Sequence, residues 1–435
     1  MKISLINHGC AKNLVDAELM LGILDKQGYK ITLDETDADI VIVNTCSFIH
    51  DAEKESVQSI LQMIENGKKV IVTGCLSQKH KEELKEAIPE LAGMIGTSNL
   101  KDIVKIVKDI SEGKDYESII DEKPEYIYPE EIERQQITMG ASSYLKIGEG
   151  CNYQCGYCII PKLRGKYKSR PIENIVKEAK ELVKKGVTEI ILIAQDTSSY
   201  GIDLYGKQAL PQVLEELNKI ENLSWIRIMY AYPTQMTDEL IDTIARLDKV
   251  VKYVDIPLQH SHPRVLESMR RPVMDYSELV KKIRNKIPGV SVRTSLIVGY
   301  PGESEEEFEH LYNFVKEVKF DRMGAFEYSR EKETYSDSLQ GHLPAKIKKQ
   351  RRNKLMELQQ KISLENNVKY IDSTIKCIVE GYTDDGVIIL RSEHDAPEID
   401  GVVYASAIRQ VVPGDIELVK ITKADEYDLF GEIID

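Results

Sequence analysis

The stretch EGCNYQCGYCIIPKLRGKYKSRP, residues 149–171, places Cys151, Cys155 and Cys158 within eight positions. Thiolates on one short loop suit an iron–sulfur cube or zinc. Structural zinc normally closes its tetrahedron with a second Cys or His pair, and no fourth cysteine follows nearby. Three protein ligands on a cube would leave one iron open, so the missing fourth ligand marks the place of a substrate or cofactor. A second trio, Cys10, Cys46 and Cys75, looks scattered, yet its contexts match: SLINHGC, VIVNTC and VIVTGC. Each cysteine lies just past an apolar run of strand length. If those strands are parallel neighbours, the three thiols meet along one sheet edge as a second metal site. The bland alternative is three separately buried cysteines.

These thiols need elements to position them. From Lys2 to about Lys108 the runs KISLIN, DIVIVN and KKVIVTG alternate with the helix-like DAELMLGILDKQG and DAEKESVQSILQMIENG, the latter stopped by Gly67. Such alternation predicts a parallel α/β sheet with helices on its faces. Residues 111–140 are acidic and lack helical period, which predicts a linker. From Ala141 to about Lys369, six strand-like runs with intervening helices predict an open or partial (β/α) barrel, with a Rossmann-like sheet as the competing topology. The Cys151 loop follows the first of these runs, at the rim where chemistry collects in such folds. After the helical stretch PAKIKKQRRNKLMELQQKISLENNVK, the β-rich runs between Ile375 and Asp435 predict a small antiparallel β-barrel. The expected division is therefore 1–110, a linker 111–140, a core 141–369 and a tail domain 370–435.

The bulk numbers bound the function. The chain has 435 residues, 42% hydrophobic and 30% charged, which suits two or three soluble domains. No apolar run reaches the roughly 18 residues of a membrane span. The N-terminal MKISLINHGC enters a strand without a charged leader and apolar core, so a cytoplasmic location is expected. Seven cysteines in so long a chain do not form a secreted disulfide framework. The net charge of −14 argues against broad phosphate-backbone binding and so against a nucleic-acid partner.

C-x-x-x-C-x-x-C with Tyr157 before the last cysteine resembles the motif of radical S-adenosylmethionine enzymes. Together with the N-terminal trio and the small β tail, it resembles the methylthiotransferase family across essentially the whole chain. The resemblance implies that Cys151, Cys155 and Cys158 hold a [4Fe–4S] cluster that cleaves S-adenosyl-L-methionine to a 5′-deoxyadenosyl radical. It implies that Cys10, Cys46 and Cys75 hold a second [4Fe–4S] cluster, and that the tail is a TRAM domain. GCAKNLVDAE and IAQDTSSYG resemble the branch that modifies an aspartate β-carbon in small-subunit ribosomal protein twelve, and DIPLQHSHPRVLESMRRP resembles a segment near the active site. An external one-electron donor such as flavodoxin or ferredoxin and a monomeric state are expected with it. Residues 375–435 carry five basic and fourteen acidic residues, net −9, which disfavours RNA and favours a basic protein partner. A tRNA adenosine methylthiotransferase and a non-catalytic iron–sulfur electron carrier are the alternative functions.

Weaker features complete the reading. In SLIVGYPGE, Gly299 and Gly302 would let the backbone approach a flat ligand. The resemblance puts the adenosyl moiety near such a segment; an ordinary turn is the alternative. Arg293 could pair with the cofactor carboxylate. Gln195 and Asp196 could orient its amino group or cap the next element. The basic PKLRGKYKSRP could steer an anion or be solvated. GIDLYGKQ is no phosphate loop, because Gln208 stands where Ser or Thr must reach Mg²⁺. His260 and His262 are read as structural, and Cys377 as packed in the tail.

Overall fold

Runs of Val and Ile between helix-forming stretches build the first sheet. The computed structural model describes residues 1–47, 50–114, 117–126, 128–129, 133–137 and 140–434. Its chain forms two compact units: residues 1–139, 148–153 and 159–170 in the first, and 140–147, 154–158 and 171–435 in the second.

In the first unit, β1 (Lys2–Asn7), β2 (Lys30–Ile31), β3 (Ile40–Thr45), β4 (Lys69–Gly74), β5 (Gly93–Ile95) and β6 (Glu117–Ile119) form one sheet in the order β2-β1-β3-β4-β5-β6. Every neighbouring pair is parallel. α1 (Ala11–Lys26) follows β1, α2 (His50–Glu65) follows β3, and α3 (Cys75–Lys79) follows β4 directly. The central β3 is buried at all six positions, as a parallel strand covered on both faces must be. Val41, Val43, Val70 and Val72 pack against Ile60 and Met63 of α2.

The stretch 111–140, expected as a linker, supplies β6 and packs on α1 instead. Tyr126 donates from its hydroxyl to Asp16 (3.0 Å), and Arg134 pairs with Glu18 (2.9 Å). The physical reason lies in α1, whose Asp16 and Glu18 are buried and need partners that the stretch provides. Residues 115–116, 127, 130–132 and 138–139 of that expected linker lie outside the described residues. Two short strands, β8 (Gly148–Glu149) and β9 (Lys168–Ser169), pair antiparallel within the same unit.

The second unit holds β7 (Ser142–Lys146), β10 (Glu189–Ile193), β11 (Trp225–Ile228), β12 (Tyr253–Asp255), β13 (Ser291–Val298) and β14 (Arg322–Glu327). They form two parallel ladders, β7-β10-β11 and β12-β13-β14. Ile226 N donates to Lys249 O (2.7 Å) and Val251 N to Ile226 O (3.1 Å), which carries the pairing from β11 toward β12. Spatial order thus follows chain order, and among the described residues no ladder returns from β14 to β7. That is a partial (β/α) barrel, without the reversal of strand order that defines a Rossmann sheet.

The tail closes into a barrel of β15 (Thr374–Tyr382), β16 (Ile388–Ser392), β17 (Val403–Ser406), β19 (Leu429–Ile433) and β18 (Ile416–Ala424). All its pairs are antiparallel except β17–β19, which is parallel. Closure removes the exposed sheet edges a small domain would otherwise carry. Cys377 is packed in this core with Val379, Leu390, Val403 and Val419. The small barrel docks on the N-terminal ends of the larger barrel's strands. Arg391 of β16 pairs with Glu189, the first residue of β10, and Asp395 pairs with Arg322, the first residue of β14 (2.6 Å). The loop carrying Cys155 and Cys158 lies beyond the other end of the strands.

Candidate iron–sulfur centres

The N-terminal trio is built by strand register. β1, β3 and β4 are consecutive in the sheet, with Asn7 opposite Asn44 and Thr45 opposite Gly74. Cys46 and Cys75 therefore follow a directly paired couple of residues, and Cys10 follows Asn7 by three and caps α1. Gly74 has φ +96°, and a Cβ there would stand 2.4 Å from Thr45 O, so only glycine lets Cys75 turn so tightly after β4.

Buried amides and one arginine support the thiols. Asn44 Nδ2 donates to Asn7 Oδ1 (3.0 Å) and to Asn13 O (2.7 Å), and Asn13 Nδ2 donates to Thr45 O (2.9 Å). The Cys10 thiol donates to Asn13 Oδ1 at 3.7 Å. Arg164 reaches the same place: Nη2 donates to Asn13 Oδ1 (2.5 Å) and lies 3.7 Å from Cys75 Sγ, while Nη1 pairs with Asp16 (2.7 Å) and Glu149 (3.3 Å). Burial pushes the Cys75 thiol up, and the Arg164 guanidinium opposes it. Burial alone would lower the Arg164 pKa, but Glu149, Cys75 and Asp16 hold it well above its ordinary value.

Of the second trio, Cys151 belongs to the first unit and its N donates to Gly165 O (3.1 Å); Cys155 and Cys158 belong to the second. Cys158 N donates to Cys155 O (3.0 Å), and between them Gly156 is clamped by Met269 O (2.8 Å) and Ser336 N (2.7 Å). A Cβ on Gly156 would stand 2.8 Å from Tyr300 Oη and 3.0 Å from Ser268 O, so the loop sits flush on those residues. Arg271, buried, lies 3.9 Å from Cys155 Sγ and over the Tyr232 ring (4.3 Å). Tyr157 packs against Val265, Met269, Tyr300 and Tyr328, and burial, then the neighbouring Cys155, push its hydroxyl pKa well up.

The remaining candidates take these positions. Gln195 and Asp196 follow the end of β10. Asp196 caps the turn Thr197–Ser199, accepting from Ser198 N (3.0 Å) and Ser199 N (3.2 Å), and burial pushes its carboxyl up against those bonds. Arg293 pairs with Asp255 (3.0 Å) and Asp400 (3.5 Å). Gly299 has φ +75°, and the space a Cβ would take is filled by the Lys348 stem (2.3 Å), while its N donates to Glu303 (2.9 Å). His260 is fully buried, its pKa pushed down to about 3 by burial, and its Nδ1 accepts from His262 N (3.0 Å).

The donor set fits iron–sulfur chemistry. Among the described residues no three His, Cys, Asp or Glu side chains are gathered tightly enough for a single metal ion. A cube distributes its thiolates over separate irons. Ends of adjacent strands, spaced about 4.8 Å in the hydrogen-bonding direction, provide separate positions. Buried Arg164 and Arg271 each stand beside a candidate ligand sulfur, where an anionic cluster needs compensating charge. Sequence reasoning missed these arginines and Asn13. Asn13 had a visible cue, one helical turn from Cys10. Nothing in PKLRGKYKSRP distinguishes buried Arg164 from the exposed Lys162, Lys166 and Lys168.

Three family descriptions match in chain order, and the central one gives the class, a radical S-adenosylmethionine enzyme. They are "Uncharacterized protein family UPF0004" over residues 2–96, "Radical SAM superfamily" over 145–315 and "TRAM domain" over 371–434. The chain is 47% identical over 441 residues to the ribosomal protein uS12 methylthiotransferase RimO of Clostridioides difficile (strain 630), covering 100% of this chain and 99% of that one. It is 49% identical over 436 residues to the enzyme of the same name from Caldanaerobacter subterraneus subsp. tengcongensis, covering 99% of each. Among solved structures, the radical S-adenosylmethionine methyltransferase TsrM from Kitasatospora setae superposes with a TM-score of 0.56 over 74% of this chain and 72% of that one. At 15% identity that likeness shows the fold alone. The chain belongs to the RimO family of radical S-adenosylmethionine methylthiotransferases.

Proposed function

We propose that this chain inserts a methylthio group at the β-carbon of an aspartate in ribosomal protein uS12, the small-subunit protein twelve. The observation that carries the reading is one chain holding both thiol sets, Cys10, Cys46 and Cys75 at three neighbouring strand ends and the C-x-x-x-C-x-x-C loop after β7. The target carbon–hydrogen bond offers no acidic proton at neutral pH, so acid–base chemistry alone cannot open it.

Cys151, Cys155 and Cys158 would hold one [4Fe–4S] cluster, and Cys10, Cys46 and Cys75 an auxiliary one. When bound, these clusters and S-adenosyl-L-methionine would supply the 5′-deoxyadenosyl radical, the sulfur and the methyl group. Arg271 offsets negative charge at Cys155, and Tyr157 helps keep water from the loop. Gln195 serves as a cofactor contact at the rim. Asp196 holds the turn beside it, Arg293 fixes Asp255, and Gly299 admits Lys348, each a positioning role. An external donor such as flavodoxin or ferredoxin delivers the electron, to a monomer acting in the cytoplasm. No helix among the described residues is long and apolar enough to cross a membrane.

Mass spectrometry after anaerobic reconstitution tests this, with uS12 and unmodified tRNA offered in parallel. A methylthio addition on a uS12 aspartate is expected; addition on a tRNA adenosine, or on neither, refutes the substrate. Alanine at Cys10, Cys46 and Cys75 together should abolish methylthiolation while 5′-deoxyadenosine still forms.

A further inference from the structure

Arg164 raises a question that its carboxylate partners do not answer. Its side chain is 3% exposed, and a buried guanidinium must be compensated. Asp16 and Glu149 on Nη1 already do that. The other arm of the fork nevertheless turns away from them, to Asn13 Oδ1 and Cys75 Sγ. The Asn13 amide has no freedom to flip, because its Nδ2 donates to Thr45 O (2.9 Å), so its Oδ1 faces both Arg164 and the Cys10 thiol. One arginine–asparagine couple therefore touches two of the three sulfurs at the sheet edge. Arg164 ends the short helix Ile160–Arg164 that begins two residues after Cys158, and Gly165 at φ +74° stops the helix there. Ile159 and Leu163 of the same stretch cluster with Cys75.

We propose that Arg164, oriented by Asn13, is a positioning residue of the auxiliary centre: its Nη2–H donates to the Cys75 sulfur and raises the reduction potential of the cluster held there. The proposal rests on the assignment of Cys10, Cys46 and Cys75 to that cluster. Hydrogen bonds and charge at cluster sulfurs are among the main levers a protein has on cluster potential. A cation beside the thiolate favours the reduced, more negative form. A merely structural ion pair would hold the loop without moving the potential.

The test uses the full chain with Cys151, Cys155 and Cys158 replaced by alanine, so that a single cluster can assemble. Arg164→Lys and Arg164→Met are introduced into that parent, each reconstituted anaerobically. Iron and sulfide per chain are measured, the fold is followed by circular dichroism, and the midpoint potential comes from a paramagnetic-resonance titration. Losing one charge-assisted hydrogen bond should disfavour reduction about tenfold in Arg164→Met, a fall of about 59 mV for a one-electron couple. Arg164→Lys keeps a charge without the planar fork and should fall in the same direction by less. If Arg164→Met loses its iron with the fold intact, the potential of Arg164→Lys decides. Potentials and iron contents at the parent values in both variants overturn the proposal. If Arg164→Met does not fold, Arg164→Lys decides alone. A parent that takes up no iron sinks the auxiliary-cluster assignment itself, and the proposal with it; iron in the parent separates the two failures.

Discussion

Replacing Glu189 by Gln removes one negative charge from a site that no water reaches. Glu189 and Arg227 have side chains 0% exposed, and Arg227 Nε donates to Glu189 Oε1 at 2.9 Å. Arg391 grips the same carboxylate, and Ser142 Oγ donates to it at 2.6 Å. Burial would raise the Glu189 pKa, but Arg391 and Arg227 outweigh it and bring it from 4.5 down to about 2. Each unit is worth about 1.4 kcal/mol, so the carboxylate contributes about 3 kcal/mol at neutral pH. That agrees with the roughly 3–5 kcal/mol lost when one partner of a buried pair is removed. The folded pKa is depressed, so this stability is present above about 4.5 and is lost as pH falls through about 2. Urea titrations at pH 7 should show Glu189→Gln less stable by about 3 kcal/mol. The variant should also lose less stability than the parent on acidification below 4.5. A difference under about 0.5 kcal/mol at pH 7, or identical acid limbs, would refute the reasoning.

Further predictions follow from single contacts. Gly74→Ala should cost about 1–3 kcal/mol and lower the iron retained per chain, because its Cβ would stand 2.4 Å from Thr45 O; urea unfolding and iron analysis read both. Asp196→Ala, which removes the cap on Thr197–Ser199, should cost about 1 kcal/mol in the same unfolding assay. Cys377→Ala should leave iron per chain unchanged while the other six cysteines each lower it, since Cys377 sits in the small barrel's core. Cys151→Ala should abolish 5′-deoxyadenosine formation, measured by chromatography of the reaction.

The large features were legible because each rests on a local period. Buried β3 reads as a run of Ile and Val, and the strand-end cysteines could be matched by their offset from such runs. The barrel strands were equally visible, but their count alone left open an open sheet; only the pairing from Ile226 toward β12 decides it. Residues 111–140 defeated the reading because β6 is three residues long and its companions Tyr126 and Arg134 bind carboxylates inside α1. Partners more than a hundred positions away leave no periodic trace. Arg164 and Arg271 were hidden for the same reason: burial of a charged residue is decided by tertiary partners.

The charge of the tail shows how a segment sum differs from a surface. Its net −9 counts Asp395 and Asp400, yet these neutralise Arg322 and Arg293 of the larger barrel. Glu380 and Glu417 are paired within the tail, to Arg391 and Arg409. Asp384, Asp385, Glu398 and Glu432 remain exposed, but so do Lys376, Lys420 and Lys423, so the exposed charge of the tail is far smaller than its sum. The tail docks at the strand ends opposite the Cys155 loop, and even a five-residue strand such as β7 spans roughly 17 Å. Screening at physiological salt acts over about 8 Å, so tail carboxylates cannot set the electrostatics of the Cys155 loop. At most they act on encounter rates, an effect that salt screens and that leaves the cysteine loop unchanged. Selection of the atom that is modified therefore cannot rest on the charge of the tail.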